Sequence, residues 1–225
     1  MTQIKNTLGH VLFEGSGPIK EVLELAVRER VPLTGADLFD ADLVGAKLSG
    51  ARLFKAYLKK ACLEGANLSR AFLEGSDFTR AYLRGANLQE ASLQNCDFDR
   101  ATLAGTTLVN ANLGGSSLIE ADLSGSDLRY ANLRRVDLSG CNLDGAIMEG
   151  CEIDPYSNGR HISIVLPNLI KVGSRIHTVE EWDVTLLEGS VDSLTWASYQ
   201  ACRAFLRHTI GETPSVGISR FDRIS

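Results

Sequence analysis

The residues able to do chemistry are sparse. Four histidines, at 10, 161, 177 and 208, and five cysteines, at 62, 96, 141, 151 and 202, are spread over 225 residues. Nucleophilic catalysis needs a serine or cysteine beside a base that a third group orients, and none of these histidines has such a set near it in sequence. A zinc site or redox pair needs cysteines two to four positions apart, and no CxxC or CxxxC occurs. No GxGxxG or Walker-type loop follows a strand-like segment. The reading is therefore of a chain with no catalytic residue, no cofactor and no metal. An enzymatic or regulatory site around His161, His177, Glu180 and Glu181 is the weaker alternative, resting only on titratable side chains.

Most of the middle of the chain follows a period that belongs to neither helix nor strand. Large apolar residues fall at Leu38, Leu43, Leu48, Leu53, Leu58 and every fifth position to Met148 and Ile153, which makes 24 units. Two residues before each lies a small one: Ala36, Ala41 and Ala46 early, then Ser76, Cys96, Thr106, Ser116, Val136, Cys141 and Cys151 later. Positions two apart share one face of an extended chain, so each unit reads as a short straight side with a two-residue bend. Glycine ends every fourth unit, at 45, 65, 85, 105, 125 and 145. One corner per coil would then need a positive φ, as in a type II turn, and the coil would close after twenty residues. Four units per coil give about six coils, roughly 29 Å tall at strand spacing.

The segments ADLFD, ADLVG, ANLSR, ANLQE and ADLSG resemble the pentapeptide-repeat family. The resemblance implies a mainly β fold, a right-handed quadrilateral parallel β-helix over residues 36–155, and implies little about function. Asp and Asn before the large leucines are expected to serve as edge and turn partners, because short polar side chains bond readily to nearby backbone.

The flanks follow other rules. Residues 1–35 suggest a hairpin around Gly9 and a helix from Pro18 to about Arg30, with Pro at the first helical position and Ile19, Val22, Leu23 and Ala26 on its apolar stripe. Open solenoid ends expose core and unpaired strand edges, so this helix is expected to cap the coil. Residues 156–225 suggest a small α+β region. HISIVLP and LIKVGSRIHTV read as strands, Thr178 to Glu181 as a capping box, and Ser190 to about His208 as a second helix. That helix carries Leu194, Ala197, Ala201 and Phe205 on one stripe beside Trp196, a candidate cap or dimer contact.

The net charge of −5 opposes a general nucleic-acid binder. No basic leader or run of about 18 apolar residues occurs, so a soluble cytoplasmic protein is expected. The surface offers more than the catalytic inventory. One corner column reads Asp40, Lys60, Arg80, Arg100, Glu120, with Lys55 and Lys59 nearby and the aromatics Phe39, Phe54, Tyr57, Phe72 and Tyr82 facing outward around it. Phe54, Lys55, Tyr57, Lys59, Lys60, Arg80 and Arg100 are the candidate partner surface. Asp77, Asp97 and Asp99 are expected to neutralise its cations, or else an acidic partner does. A non-catalytic interaction scaffold with an unidentified protein partner is the favoured reading. The alternative takes from the family's resistance proteins the role of a DNA mimic that binds gyrase or topoisomerase. Residues 36–155 hold 17 Asp plus Glu against 12 Lys plus Arg, a weakly acidic surface for such a mimic.

Overall fold

In a computed structural model the chain is described over residues 1–138, 140–154, 162–166, 169–172 and 175–178. It begins with an antiparallel hairpin, β1 (Thr2–Lys5) against β2 (Val11–Gly15). The Asn6 carboxamide oxygen accepts the amides of Leu8 and His10 and closes its turn. Helix α1 (Ile19–Arg28) follows, with Val22, Leu23 and Ala26 buried. Pro18 stands one place earlier than the sequence suggests. It is the N-cap, with φ −61° and ψ 157°, and its carbonyl accepts the first helical bond from the Val22 amide. An extended residue with no amide to lose suits that position as well as it suits the first turn.

Beyond α1 the chain winds in coils of twenty residues. Parallel bridges join Asp37 to Tyr57, Asp42 to Cys62, Lys47 to Asn67 and Arg52 to Phe72, and the same twenty-residue step repeats to the Asp127–Ile147 pair. Strands β3 (Asn132–Arg134) and β4 (Glu152–Asp154) continue it. Each side follows one plan. The middle residue points outward while its amide and carbonyl both bond the preceding coil, as where the Tyr57 amide donates to the Ala36 carbonyl and the Tyr57 carbonyl accepts the Leu38 amide; the flanking Ala56 carbonyl and Leu58 amide bond Asp77 of the next coil. The small residue and the leucine on either side of it point inward. A turn bond from the next small residue, such as Ala41 N–H to Leu38 C=O, closes the corner.

The inward positions form one continuous core, from Leu33 to Met148 and Cys151. Leu33, one unit upstream of the first leucine counted in the sequence, is fully buried, and its amide bonds the Arg52 carbonyl. Phe78 and Phe98 replace leucine on one side and stack inside the coil with centroids 4.7 Å apart. The small positions beside them become Ser76, Cys96 and Ser116. The Ser76 hydroxyl donates to Leu53 C=O and accepts the Ala56 amide, so these buried polar groups are bonded to the coil wall. The outward Asp and Asn residues form the turn bonds their chemistry suggests. Asp37, Asn67, Asn87, Asp122 and Asn142 each accept the amide two residues on.

One inference about the corners is corrected. Positive φ is not confined to the glycine column, because every fifth residue from Gly35 to Gly150 lies between 54° and 74°. Asp40, Lys60, Arg80, Arg100, Glu120 and Tyr130 all adopt it. The tight two-residue bend demands the left-handed conformation at every corner, whatever side chain stands there. An L-residue pays about 1–2 kcal/mol for it, and glycine avoids most of that. A Cβ at Gly45, Gly65, Gly85, Gly105 or Gly125 would meet nothing within 4 Å, so glycine in that column relieves backbone strain without relieving crowding.

The N-terminal elements occupy the open coil end. The Lys5 carbonyl accepts the Asp37 amide and a carboxylate oxygen of Glu24 accepts the Lys47 amide, two edge donors that no earlier coil can satisfy. Lys20 donates to the Val44 carbonyl, and Val22, Leu23 and Ala26 join the same core as Leu33 and Leu38. At the other end, β4 pairs antiparallel with β5 (Ile162–Leu166), followed by β6 (Leu169–Val172) and β7 (Arg175–Thr178) in the order β3-β4-β5-β6-β7. The second strand-like segment of the sequence is thus two strands. The expected helices and the residues Leu194, Trp196, Ala197, Ala201 and Phe205 lie outside the described residues.

Candidate binding surface

The candidate residues divide between two corners and the side that joins them. Tyr57, Lys59 and Lys60 share one five-residue side, and Arg80 and Arg100 follow Lys60 at twenty-residue steps, about 4.8 Å apart along the stack. Phe54 and Lys55 occupy the preceding corner. Lys55, Lys60, Arg80 and Arg100 are exposed, while Phe54, Tyr57 and Lys59 are half-buried.

The aromatics pair across adjacent coils. Phe39 stacks on Tyr57 with centroids 5.8 Å apart and planes 13° from parallel, and Phe54 stacks on Phe72 at 5.8 Å and 24°. The Lys60 ammonium sits 5.7 Å from the Phe39 centroid, within cation–π range. The N-terminal hairpin and helix leave this surface uncovered: Phe39 is 47%, Phe72 42% and Tyr82 50% exposed.

The charges are arranged differently from the sequence expectation. Arg100 pairs with Glu120 in its own column, Nε to Oε2 at 2.7 Å. That bond raises the Arg100 pKa. Asp77, Asp97 and Asp99 form no ion pair with the column; each carboxylate accepts a hydrogen bond from another donor, although the Asp99 charge still raises the Arg100 pKa. Asp77 accepts the Thr79 amide, Asp97 the Asp99 amide, and Asp99 the Ile119 amide and the Ser117 hydroxyl. A carboxylate beside a tight turn finds a fixed amide sooner than a mobile cation across the corner. Among the described residues the Lys59 and Arg80 side chains make no hydrogen bond or ion pair. Elsewhere Arg70 pairs with Glu90 at 2.8 Å, again twenty residues on, and Arg129 with Asp127 at 2.7 Å. These bonds lower the Glu90 and Asp127 pKa values.

Among the described residues two cysteines are held back from reaction by burial. The buried Cys96 thiol donates to the Leu73 carbonyl, and burial pushes its pKa up to about 12. Cys141, half-buried, is pushed up to about 12 for the same reason. Among the described residues no group of three His, Cys, Asp or Glu could hold a metal ion. No helix among them is long and apolar enough to cross a membrane. His161, Glu180 and Glu181 lie outside the described residues, and His177 stands in β7.

A surface element that sequence reasoning passed over is Tyr130, 58% exposed at a left-handed corner. Its ring lies across Gly150, where a Cβ would clash with it. The glycine one coil away was the available signal. An open depression of about 460 Å³ at the cap is lined by Glu21, Glu24, Leu25, Val27, Arg28 and Lys47 and is separate from the aromatic surface.

The profile of the pentapeptide-repeat family matches in eight copies, over residues 33–70, 61–99, 76–115, 96–135 and 116–152. The chain belongs to the pentapeptide-repeat family. Proteins of this family fold as right-handed β-helices and are generally non-catalytic. Among solved structures the chain is similar to HetL, a pentapeptide-repeat protein involved in heterocyst differentiation regulation from the cyanobacterium Nostoc sp. strain PCC 7120. Identity is 38%, over 52% of this chain and 61% of HetL, with a TM-score of 0.33. It is also similar to a pentapeptide-repeat protein of the Arabidopsis thaliana thylakoid lumen, at 34% identity over 43% of this chain and 64% of that one, with a TM-score of 0.36. QnrB1, a plasmid-mediated fluoroquinolone resistance protein, matches at 19% identity over 55% of this chain and 80% of that one, with a TM-score of 0.30. The chain thus spans about three fifths of the length of the first two. No curated protein matches it.

Proposed function

We propose that this pentapeptide-repeat chain is a non-catalytic, cytoplasmic protein-interaction scaffold. The observation that carries this reading is the aromatic surface beside the basic corner. The coil end is sealed by β1, β2 and α1, yet Phe39 and Tyr82 stay about half exposed beside the Lys60 and Arg80 corner, and Phe72 on the side that leads to the Lys55 corner. Exposed aromatics interleaved with cations match the composition of protein interfaces more closely than that of an idle surface. The rigid bonded wall holds them at fixed spacing, so a partner meets a preorganised surface and loses little entropy in ordering it.

The test is affinity capture from a lysate with the wild type and with a Phe39→Ser/Phe72→Ser/Tyr82→Ser variant that keeps the wild-type circular dichroism. The expected result is a defined set of proteins retained by the wild type and lost with the variant. Capture of the same set by both, or of none by either, overturns the reading. A supercoiling assay with purified gyrase runs beside it. No inhibition is expected, because the run of cations at the corner breaks the continuous acidic surface that a DNA mimic requires.

A further inference from the structure

We infer that the corner bearing Lys60 and Arg80 is a docking edge for a short, extended acidic segment of another protein, with an apolar residue at the end that meets Phe39. This rests on the scaffold reading and specifies its partner.

The first support is the cost of the corner. Asp40, Lys60, Arg80, Arg100 and Glu120 all adopt φ between 56° and 61°, while the next corner carries glycine in six successive coils. Glycine would relieve the strain at any of these bends, and this column differs from the other corners in carrying three cations in successive coils, Lys60, Arg80 and Arg100. Arg100 recovers part of its cost through Glu120, and Lys60 through the Phe39 ring. Among the described residues Arg80 and Lys59 make no compensating pair, and they stand beside cations that repel them.

The second support is charge complementarity at a defined length. The column begins with Asp40, ends in the Arg100–Glu120 pair, and is flanked by Asp77, Asp97 and Asp99. Open positive charge is therefore limited to Lys59, Lys60 and Arg80, enough for two or three carboxylates. A nucleic acid would extend its phosphates past this window into the flanking carboxylates, and the chain as a whole carries −5. A short acidic peptide fits within it.

The third support is spacing. Corner side chains follow each other at about 4.8 Å, and alternate side chains of an extended peptide at about 6.6 Å. The flexible stems of Lys60 and Arg80 absorb that difference. Carboxylates two residues apart thus reach the two cations, and an apolar residue two places earlier meets the exposed Phe39 ring. The recognised pattern is apolar, any, acid, any, acid.

Fluorescence polarisation of a labelled peptide, Leu-Gly-Glu-Gly-Glu, against the full chain tests this, with a Gln-for-Glu peptide and a duplex oligonucleotide as comparison probes. The expected result is saturable binding of the Glu peptide only, weakened by salt. Lys60→Ala/Arg80→Ala should weaken it by about ten-fold or more, the loss expected when two charge-assisted contacts are removed. Arg70→Ala/Arg129→Ala, on the opposite corner, should leave it unchanged. Absence of binding, equal binding of the Gln peptide, preference for the oligonucleotide, or indifference to the Lys60/Arg80 change each overturns the proposal. If the peptide fails while the aromatic variant still alters the captured set, the scaffold reading stands and this edge is not its docking site.

Discussion

A carboxylate oxygen of Glu24 accepts the backbone amide of Lys47 at 2.8 Å, so a helix outside the solenoid completes the hydrogen bonding of its first coil. In later coils the equivalent donor is paired one turn back, as where the Asn67 amide bonds the Ala46 carbonyl. Lys47 has no earlier coil, and α1 supplies the missing acceptor from the same turn that buries Val22, Leu23 and Ala26. The cap therefore works by polar satisfaction as well as by covering the core.

Glu24→Ala should destabilise the N-terminal coils by about 0.5–1.5 kcal/mol, and Glu24→Gln by less, since its amide oxygen still accepts. Hydrogen exchange read at the Lys47 amide checks this. Faster exchange confined to the first coils is the expected pattern, and protection unchanged in Glu24→Ala would show that the bond contributes nothing.

The core is equally specific. Leu88 and Phe78 are fully buried. Leu88→Asp places a lone carboxylate among leucines and should unfold several coils, because a buried unpaired charge has no compensating partner. Phe78→Ala empties half of the Phe78–Phe98 stack and should cost about 3–5 kcal/mol in a urea titration. Wild-type melting of Leu88→Asp would overturn the register.

These features were unequally legible. The leucine and alanine columns were readable because burial acts on every unit in the same way and leaves a five-residue signature. The twenty-residue coil was readable from Gly45 to Gly145, although the left-handed φ expected of that column is shared by Asp40, Lys60 and Tyr130. Backbone bonding closes each corner alike, so conformation there outruns what residue preference reveals. The Arg70–Glu90 and Arg100–Glu120 pairs become visible once the sequence is stacked in twenties. The Glu24–Lys47 bond has no such signal, because its span of 23 residues belongs to the docking of the cap and not to the repeat. At the candidate surface the residue types were legible and their partners were not, because Asp77, Asp97 and Asp99 had nearby amides to satisfy.

Two glycines should respond differently to the same change. Gly85 and Gly115 have φ of 64° and 74°, but a Cβ at Gly85 meets open space and one at Gly115 falls 2.6 Å from the Asn95 side-chain oxygen. Gly85→Ala should cost about 1 kcal/mol from the left-handed backbone alone. Gly115→Ala should cost more, because Asn95 must also move. Equal losses in denaturant titrations would show that the Asn95 carboxamide swings aside freely.

The buried Cys96 thiol gives the fold an alkaline limit. Its pKa stands at about 12 in the folded chain against 9.0 for an ordinary thiol, with burial as the main cause. Below pH 9 both states keep the proton and stability is unaffected. Above it the unfolded chain loses its proton while the folded chain cannot, so stability falls as pH rises from about 9 towards 12. By pH 10 the loss should be on the order of 1 kcal/mol for this thiol, and Cys96→Ala should remove that component of the slope. Urea titrations of both proteins at pH 8 and pH 10 measure it. Parallel alkylation at pH 8 should leave Cys96 unmodified until the coil opens, and a slope unchanged in Cys96→Ala would mean that this thiol ionises as readily folded as unfolded.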